Sequence, residues 1–478
     1  MAGEIREKCG VGGVLLTSSE PDEASAHMYE VLFALQHRGT DASGIVSKSP
    51  GGPLEEHRMS GMVRDVYDDK SMARLTGSLA VGHNRYSTSG HTDRHAQPVI
   101  DGGLGLAIAH NGNIADTSAM DRFLGQRNLL HQQLNDSEKM GLTIAQFMRE
   151  GKDLPDAIEQ AYPLFTGAFS CVGIHDNVLF AFRDPKGIRP LALGRFGKNW
   201  VASSETCGLD MLNARYEREV QPGELVVISD DGQLNSRQLA EPDPKLDIFE
   251  FVYFARHDST LYGQRVNEVR RRFGEQLALA HGALHDDGDN VLVVPVPDTA
   301  TPEANGYAKI LGLEKDDAIV KNRYIGRTFM QQTHDARTRQ LRRKHNIIPE
   351  RIKGRDVIII DDSIVRLNTI PNLVSRMKTI GAKTVSVLIG SPPVRFPDYY
   401  GIDTPDQKEL AAANMTVEEM RREIDCEYLG FLSLEGLIKA SGMTADMFNL
   451  SCFTGEYPIG IGHNADGIHA PVSMEYVD

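Results

Sequence analysis

RDVIIIDDSIVRLNT, residues 355–369, decides how the second half of this chain is read. Val357 to Ile360 form an unbroken apolar, β-branched run, which suits a strand covered on both faces, as in a parallel sheet. The run ends in two adjacent aspartates, Asp361 and Asp362, and a short loop follows. In parallel sheets, ligands bind beyond the carboxyl ends of the strands. Paired carboxylates there can accept hydrogen bonds from vicinal hydroxyls or hold Mg²⁺ through water, while N–H groups of the next loop and helix receive a phosphate. The plainer alternative is that the aspartates only cap a turn and the following helix. Two neighbouring stretches favour a ligand. VPVPDTAT, residues 294–301, supplies a second strand end, with Asp298 as a further candidate metal ligand; KNRYIGRTF, residues 321–329, brings Lys321, Arg323 and Arg327 together. Residues 321–355 carry eleven Lys/Arg against two Asp/Glu in a chain of formal charge -15. A solvated basic face is the bland reading, and a dense anion such as pyrophosphate is the sharper one.

Outward from this stretch, the chain has 478 residues, enough for two or three domains. The strands VLVVPVP, AIVKN, DVIIIDD and TVSVLIGS alternate with helical patterns near 266–283, 301–311, 368–380 and 432–441, which predicts a parallel α/β sheet after about residue 245. Before it, VGGVLL, GSLAVGH, GLGLAIAHNGNI, GAFSCVGIHDNVLFAF and GELVVISDDGQL predict an antiparallel sheet system. Helical patterns at 24–36 and 137–149 make that part α+β, the second with Asp136 and Ser137 as cap candidates. The tail after about 455 reads as extended. The acidic balance disfavours general binding to nucleic acid or anionic membrane. Short apolar runs and a charged N-terminus predict neither a spanning helix nor a secretory signal. The cysteines at 9, 171, 207, 426 and 452 form no C-x-x-C pair. The expected location is the cytoplasm.

Three polar, glycine-bearing segments accompany Cys9 in the first half: LQHRGTDASGI, GHNRYSTSG and AHNGNI. With DDSIVR, KNRYIGRTF, SPPVRFPDYYGID, RDPKGIRPLALG and SSETCGLD, in this order-preserving set from about 9 to 462, the chain resembles the glutamine phosphoribosylpyrophosphate amidotransferase family, which opens purine synthesis. The resemblance implies a propeptide at 1–8, an α+β N-terminal-nucleophile glutaminase domain at 9–245, an α/β type I phosphoribosyltransferase domain at 246–455, and a C-terminal tail at 456–478. It further implies that Cys9 is the nucleophile, that Asn111 and the Gly112 N–H stabilise the oxyanion, and that Arg38 orients the nucleophile's backbone. Arg85 would take the α-carboxylate of glutamine and Asp136 its α-amino group. Asp361 and Asp362 would bind the ribose of phosphoribosyl pyrophosphate and its Mg²⁺, the 363–369 loop with Ser363, Arg366 and Thr369 its 5′-phosphate, and the basic segment around 323–344 would close over its pyrophosphate, with Lys321, Arg323, Tyr324 and Arg327 also binding the substrate. A homo-oligomer, tetramer or dimer, is implied as well.

The chain departs from the family pattern in three places. Where the family loop reads DDSIVRGTT, Leu367 and Asn368 replace glycine and threonine. Leucine costs on the order of 1 kcal/mol or more if φ there must be positive. The basic segment has Gln331-Gln332 for Gln-Pro, and His345 in RRKHN. Of the cysteines that hold an iron–sulfur cluster in some members, only Cys452 remains, with Asp398 at another of the positions. No cluster is therefore expected. The altered loop leaves open a diverged relative with another phosphorylated acceptor, or a silent regulatory homologue.

Overall fold

The computed structural model describes residues 9–17, 23–86, 95–282, 284, 290–322, 345–401 and 406–472. Within them the first half is a sandwich of two antiparallel sheets. One has the strand order Arg215–Glu219, Ala192–Phe196, Asn199–Ser203, Gly10–Leu15, Leu79–Arg85, Ala42–Lys48, Leu54–Ser60; the other runs Leu234–Gln238, Glu224–Ile228, Val178–Arg183, Thr166–His175, Leu106–Asp116, Val99–Asp101. Alternate side chains explain the pairing of layers. Val11, Leu15, Val81 and Val46 point from the first sheet at Ala107, Ala109, Val172 and Ile174 of the second. The other face of the first sheet carries the helix Ala24–Ala34, and the other face of the second carries Asp136–Arg149 and Leu154–Ala161. The cap of Asp136–Arg149 is Asn135, whose side chain accepts from Glu138 N while Glu138 reaches back to Asn135 N. Asp136 and Ser137, expected as caps, lie inside the first turn, and Asp136 is thereby left for other work.

The second half is built on a parallel sheet of order Glu314–Lys315, Val291–Pro295, Asp356–Asp361, Thr384–Ile389, Tyr428–Phe431. Ile358 and Ile360 face one core with Val293 and Phe273, and Val357 and Ile359 face the other with Val294 and Val374. The unbroken apolar run thus follows from burial on both sides. One strand assignment fails: Ile319–Lys321 leaves this sheet and pairs antiparallel with His345–Ile347 in a separate ribbon. A three-residue strand with only Ile319 fully buried lacks the two-sided apolar surface that a central position requires. The tail also differs from expectation. The Tyr400 hydroxyl donates to the Ile459 carbonyl at 2.5 Å and Tyr457 to that of Pro397 at 2.7 Å, so buried Ile461 returns against Tyr400 and Ile188. Among the described residues no helix is long and apolar enough to cross a membrane.

The helices Val266–His281 and Thr301–Leu311 cross at backbone contact beside the parallel sheet. A Cβ on Gly274 would stand 1.8 Å from the Glu303 carbonyl oxygen, and one on Gly306 1.9 Å from that of Arg271. Helix propensity alone would make Gly274→Ala stabilising by up to about 1 kcal/mol. The contact reverses the sign, and overpacking should cost about 1–3 kcal/mol or more. Urea unfolding should therefore show a lower midpoint for Gly274→Ala; an unchanged or higher midpoint would contradict the backbone contact.

Candidate active site

Cys9 stands immediately before the strand Gly10–Leu15, whose partner Leu79–Arg85 runs the other way and places Gly10 opposite Asn84. Arg85 therefore ends its strand next to Cys9, partly exposed. His83 and His110 interact between the two sheets, and burial followed by Arg85 pushes the His83 imidazole down to about 3, so it stays neutral. This brings Asn111 and Gly112, the next residues of Leu106–Asp116, to the same region of the sandwich. Gly112 has φ +148°, and a Cβ there would meet the Ala168 carbonyl oxygen at 2.0 Å. No other residue fits. The Asn111 side chain is fully buried, yet among the described residues neither its Nδ2 nor its Oδ1 has a hydrogen-bond partner. A buried amide in that condition costs stability unless a ligand completes it. Asp136 accepts from Ile114 N at 3.2 Å and from Ser137 N at 2.8 Å, so its carboxylate is pinned beside the same strand.

Arg38 lies under Cys9 and is 1 % exposed. Its Nε donates to the Cys9 carbonyl at 3.4 Å, and its two Nη atoms form a fork on Glu250 at 3.0 and 2.7 Å. Nη1 also contacts Glu205. Glu250 receives Arg189 Nη1 at 3.0 Å, and Arg189 pairs with Asp247 at 3.1 Å. Glu205 accepts from Ser259 Oγ at 2.6 Å, Arg256 N at 2.9 Å and His37 at 2.7 Å. Burial alone would raise both glutamates; Arg38 and Arg189 outweigh it for Glu250, and His37 and Arg38 for Glu205, so both stay below the usual carboxylate range. The cluster is a buried set in which each charge is paired with one of opposite sign.

A second pocket opens beyond the carboxyl ends of the parallel strands. Asp361 and Asp362 line it, each 8 % exposed, together with Ser363, Arg366, Leu367, Thr369 and Tyr253. Asp361 Oδ1 accepts from Asp362 N at 3.0 Å and Asp362 Oδ1 from Ser363 Oγ at 2.7 Å. Thr369 starts the helix Ile370–Ile380 without using its hydroxyl as a cap. Leu367 is not among the residues of positive φ, and it packs partly buried against the core that holds Ile364 and Ile370. The strain that leucine threatened is absent. Arg366 pairs with Glu409 at 2.8 Å. Lys321 reaches the pocket and pairs with Asp298 at 3.2 Å; Val296, Pro297 and Thr299 on either side of Asp298 line the wall. Arg323, Tyr324 and Arg327 fall outside the described residues. Among the described residues no cluster of three or more His, Cys, Asp or Glu could hold a metal alone. Two carboxylates do fit a Mg²⁺ whose other ligands are water and substrate phosphates.

Sequence reasoning missed Glu250, Glu205, Arg189 and Tyr253. The available signals were a lone glutamate inside the apolar run IFEFVYFA, residues 248–255, and the motifs SSETCGLD and RDPKGIRPLALG, which contain Glu205 and Arg189. At the expected cluster positions, Asp398 and Cys452 are both buried, and the Asp398 carboxylate accepts from Tyr400 N at 2.9 Å. One thiol cannot hold a cubane cluster.

Comparison with known proteins bears on both sites. Residues 83–210 match the family model described as "Glutamine amidotransferase domain". The chain is 41% identical over 464 residues to the amidophosphoribosyltransferase of Synechococcus elongatus, covering 95% of this chain and 92% of that one. It is 40% identical over 475 residues to that of Mycobacterium leprae, covering 96% and 83%. The solved glutamine phosphoribosylpyrophosphate amidotransferase from B. subtilis, complexed with ADP and GMP, superposes with a TM-score of 0.86 at 35% identity, covering 95% of this chain and 98% of that one. At this identity over nearly the whole chain, the chain belongs to the amidophosphoribosyltransferase family.

Proposed function

We propose that this enzyme hydrolyses glutamine at Cys9 and passes the ammonia to C1 of phosphoribosyl pyrophosphate, giving 5-phosphoribosylamine, glutamate and pyrophosphate. The observation that carries the first half is the Asn111 amide, buried with both polar atoms unpartnered next to Gly112. In this reading Cys9 Sγ attacks the glutamine amide carbon, and the oxyanion takes hydrogen bonds from Asn111 Nδ2 and the Gly112 N–H. Ammonia leaves, a thioester forms, and water releases glutamate. Removal of residues 1–8 would give Cys9 an α-amino group whose pKa of roughly 7.7–8.0 lets it act as the base. Arg85 fits the substrate carboxylate and Asp136 its ammonium.

In the second half, Asp361 and Asp362 hold the ribose hydroxyls, and the 363–369 loop with Thr369 receives the 5′-phosphate at the start of Ile370–Ile380. When bound, Mg²⁺ would neutralise pyrophosphate oxygens and so favour their departure. Ammonia must reach C1 without equilibrating with water, because ammonium has no lone pair to attack with. The ordinary acceptor is favoured over another phosphorylated sugar by the packing of Leu367: its side chain lies against the core and its φ is negative, so the loop needs no new path.

Intact-mass measurement of active protein should give a chain beginning at Cys9. Cys9→Ala should abolish glutamine-dependent turnover while ammonia-dependent turnover remains. A retained Met1 on glutaminase-active protein, or loss of both activities in a folded variant, counts against this division of labour.

The loop makes a separate prediction. Leu367→Gly with Asn368→Thr should change the KM for phosphoribosyl pyrophosphate by no more than about threefold, since the loop's path leaves its backbone N–H donors in place, each charge-assisted bond being worth roughly 1.5–3 kcal/mol. Pyrophosphate release that is absent in the parent and appears only in the double variant would instead mark a different natural acceptor.

A further inference from the structure

Glu250 belongs to the short π-helical turn Glu250–Phe254 at the start of the phosphoribosyltransferase half, yet its carboxylate is spent on the glutaminase half. Both of its oxygens hold Arg38, whose Nε meets the Cys9 carbonyl. The fork fixes the guanidinium in plane and in rotation, which one acceptor could not do. Glu205 supplies a further contact on Nη1, and it is itself held by the Ser259 hydroxyl and the Arg256 N–H from the same second-half segment. Arg38 therefore has no support that is wholly local.

Resting on the glutaminase reading above, we propose that Glu250 is a positioning residue for the glutamine half-reaction: through Arg38 it sets the backbone of the Cys9 nucleophile. The acceptor domain completes the nucleophile's support, so the glutaminase half is not an independent catalytic module. The same segment faces the acceptor pocket. Tyr253 lines that pocket, and His257 Nε2 donates to the Asp298 carbonyl at 3.1 Å, on the loop whose Val296, Pro297 and Thr299 form its wall. Ten residues, 250–259, thus touch the scaffolds of both sites. Because Glu250 reaches glutamine neither at the carboxylate nor at the amine, its loss should act on kcat and leave KM alone.

The test uses full-length protein carrying Glu250→Gln, with the wild type and Cys9→Ala alongside. Glutamine-dependent kcat should fall about 10- to 100-fold, the loss expected when a reacting group shifts by a fraction of an ångström to 1 Å. KM for glutamine and ammonia-dependent turnover should each stay within about twofold. A wild type without glutaminase activity, or a Cys9→Ala that keeps it, would fault the glutaminase reading itself and is told apart from the outcomes for Glu250. Wild-type kcat in Glu250→Gln overturns the proposal. So does a parallel loss of glutamine- and ammonia-dependent rates, which marks a merely structural role. If Glu250→Gln does not yield soluble protein, Ser259→Ala decides, since it deletes only the hydroxyl that holds Glu205 from the same segment. A two- to fivefold loss of glutamine-dependent kcat with unchanged ammonia-dependent turnover supports the proposal, and an unchanged kcat overturns it.

Discussion

The buried charges around Arg38 constrain everything else in this protein. Two guanidiniums, Arg38 and Arg189, and three carboxylates, Glu205, Glu250 and Asp247, sit at or near zero exposure. Taking any one of them from water costs several kcal/mol, and only its partners offset that cost. The partners come from both halves of the chain: Arg38, Arg189 and Glu205 from the sandwich, Asp247 and Glu250 from the segment that leads into the parallel sheet. Glu205 pairs with Arg38 and His37 of its own half, whereas Glu250 and Asp247 find their cations, Arg38 and Arg189, across the junction. The domains are consequently joined by an interaction that cannot be partly made, which is a different kind of junction from a flexible linker. Smaller links agree with it, including Asn113 Nδ2 on the Tyr399 carbonyl at 2.7 Å and Arg189 Nε on that of Tyr400 at 3.3 Å.

Much of this was legible in the sequence where local pattern and final environment coincide. DVIIIDD is buried on both faces and ends in aspartates that line a pocket, and each feature is written in residue type and order. The motifs around Cys9, Arg38, Asn111 and Gly112 were equally plain, because polar and glycine-bearing turns between apolar strands are conspicuous. AIVKN misled because a short apolar run carries no sign of which sheet it joins, and its antiparallel partner His345–Ile347 lies more than twenty residues on. The cap of Asp136–Arg149 was misplaced by one residue, since Asn135, Asp136 and Ser137 are all good caps and only the reciprocal bond with Glu138 separates them. Glu250 stayed hidden because a charge in an apolar run has meaning only through a partner more than two hundred positions away.

Leu367 shows how a departure from a motif can be absorbed. Glycine in a phosphate loop serves either positive φ or close approach, and the two needs differ in what they forbid. A loop that keeps negative φ and turns the new side chain toward an existing apolar core loses neither backbone donors nor conformational freedom. The leucine packs beside Ile364 and Ile370, which turns a threat to the site into a small addition to the core. Asp398 and Cys452 are likewise absorbed by packing: both are buried, and the chain returns beside them through Tyr400 and Tyr457.

Joined through the charges around Arg38, two chemically distinct sites are expected to act in sequence on one nitrogen atom. This coupling is tested most directly by turnover of amide-¹⁵N glutamine with phosphoribosyl pyrophosphate at neutral pH, in a buffer whose unlabelled ammonium is too dilute to support turnover by itself. One glutamate and one pyrophosphate should form per turnover, with ¹⁵N retained in the phosphoribosylamine. Glutamate formed without pyrophosphate, or product nitrogen drawn mainly from the buffer, would contradict it.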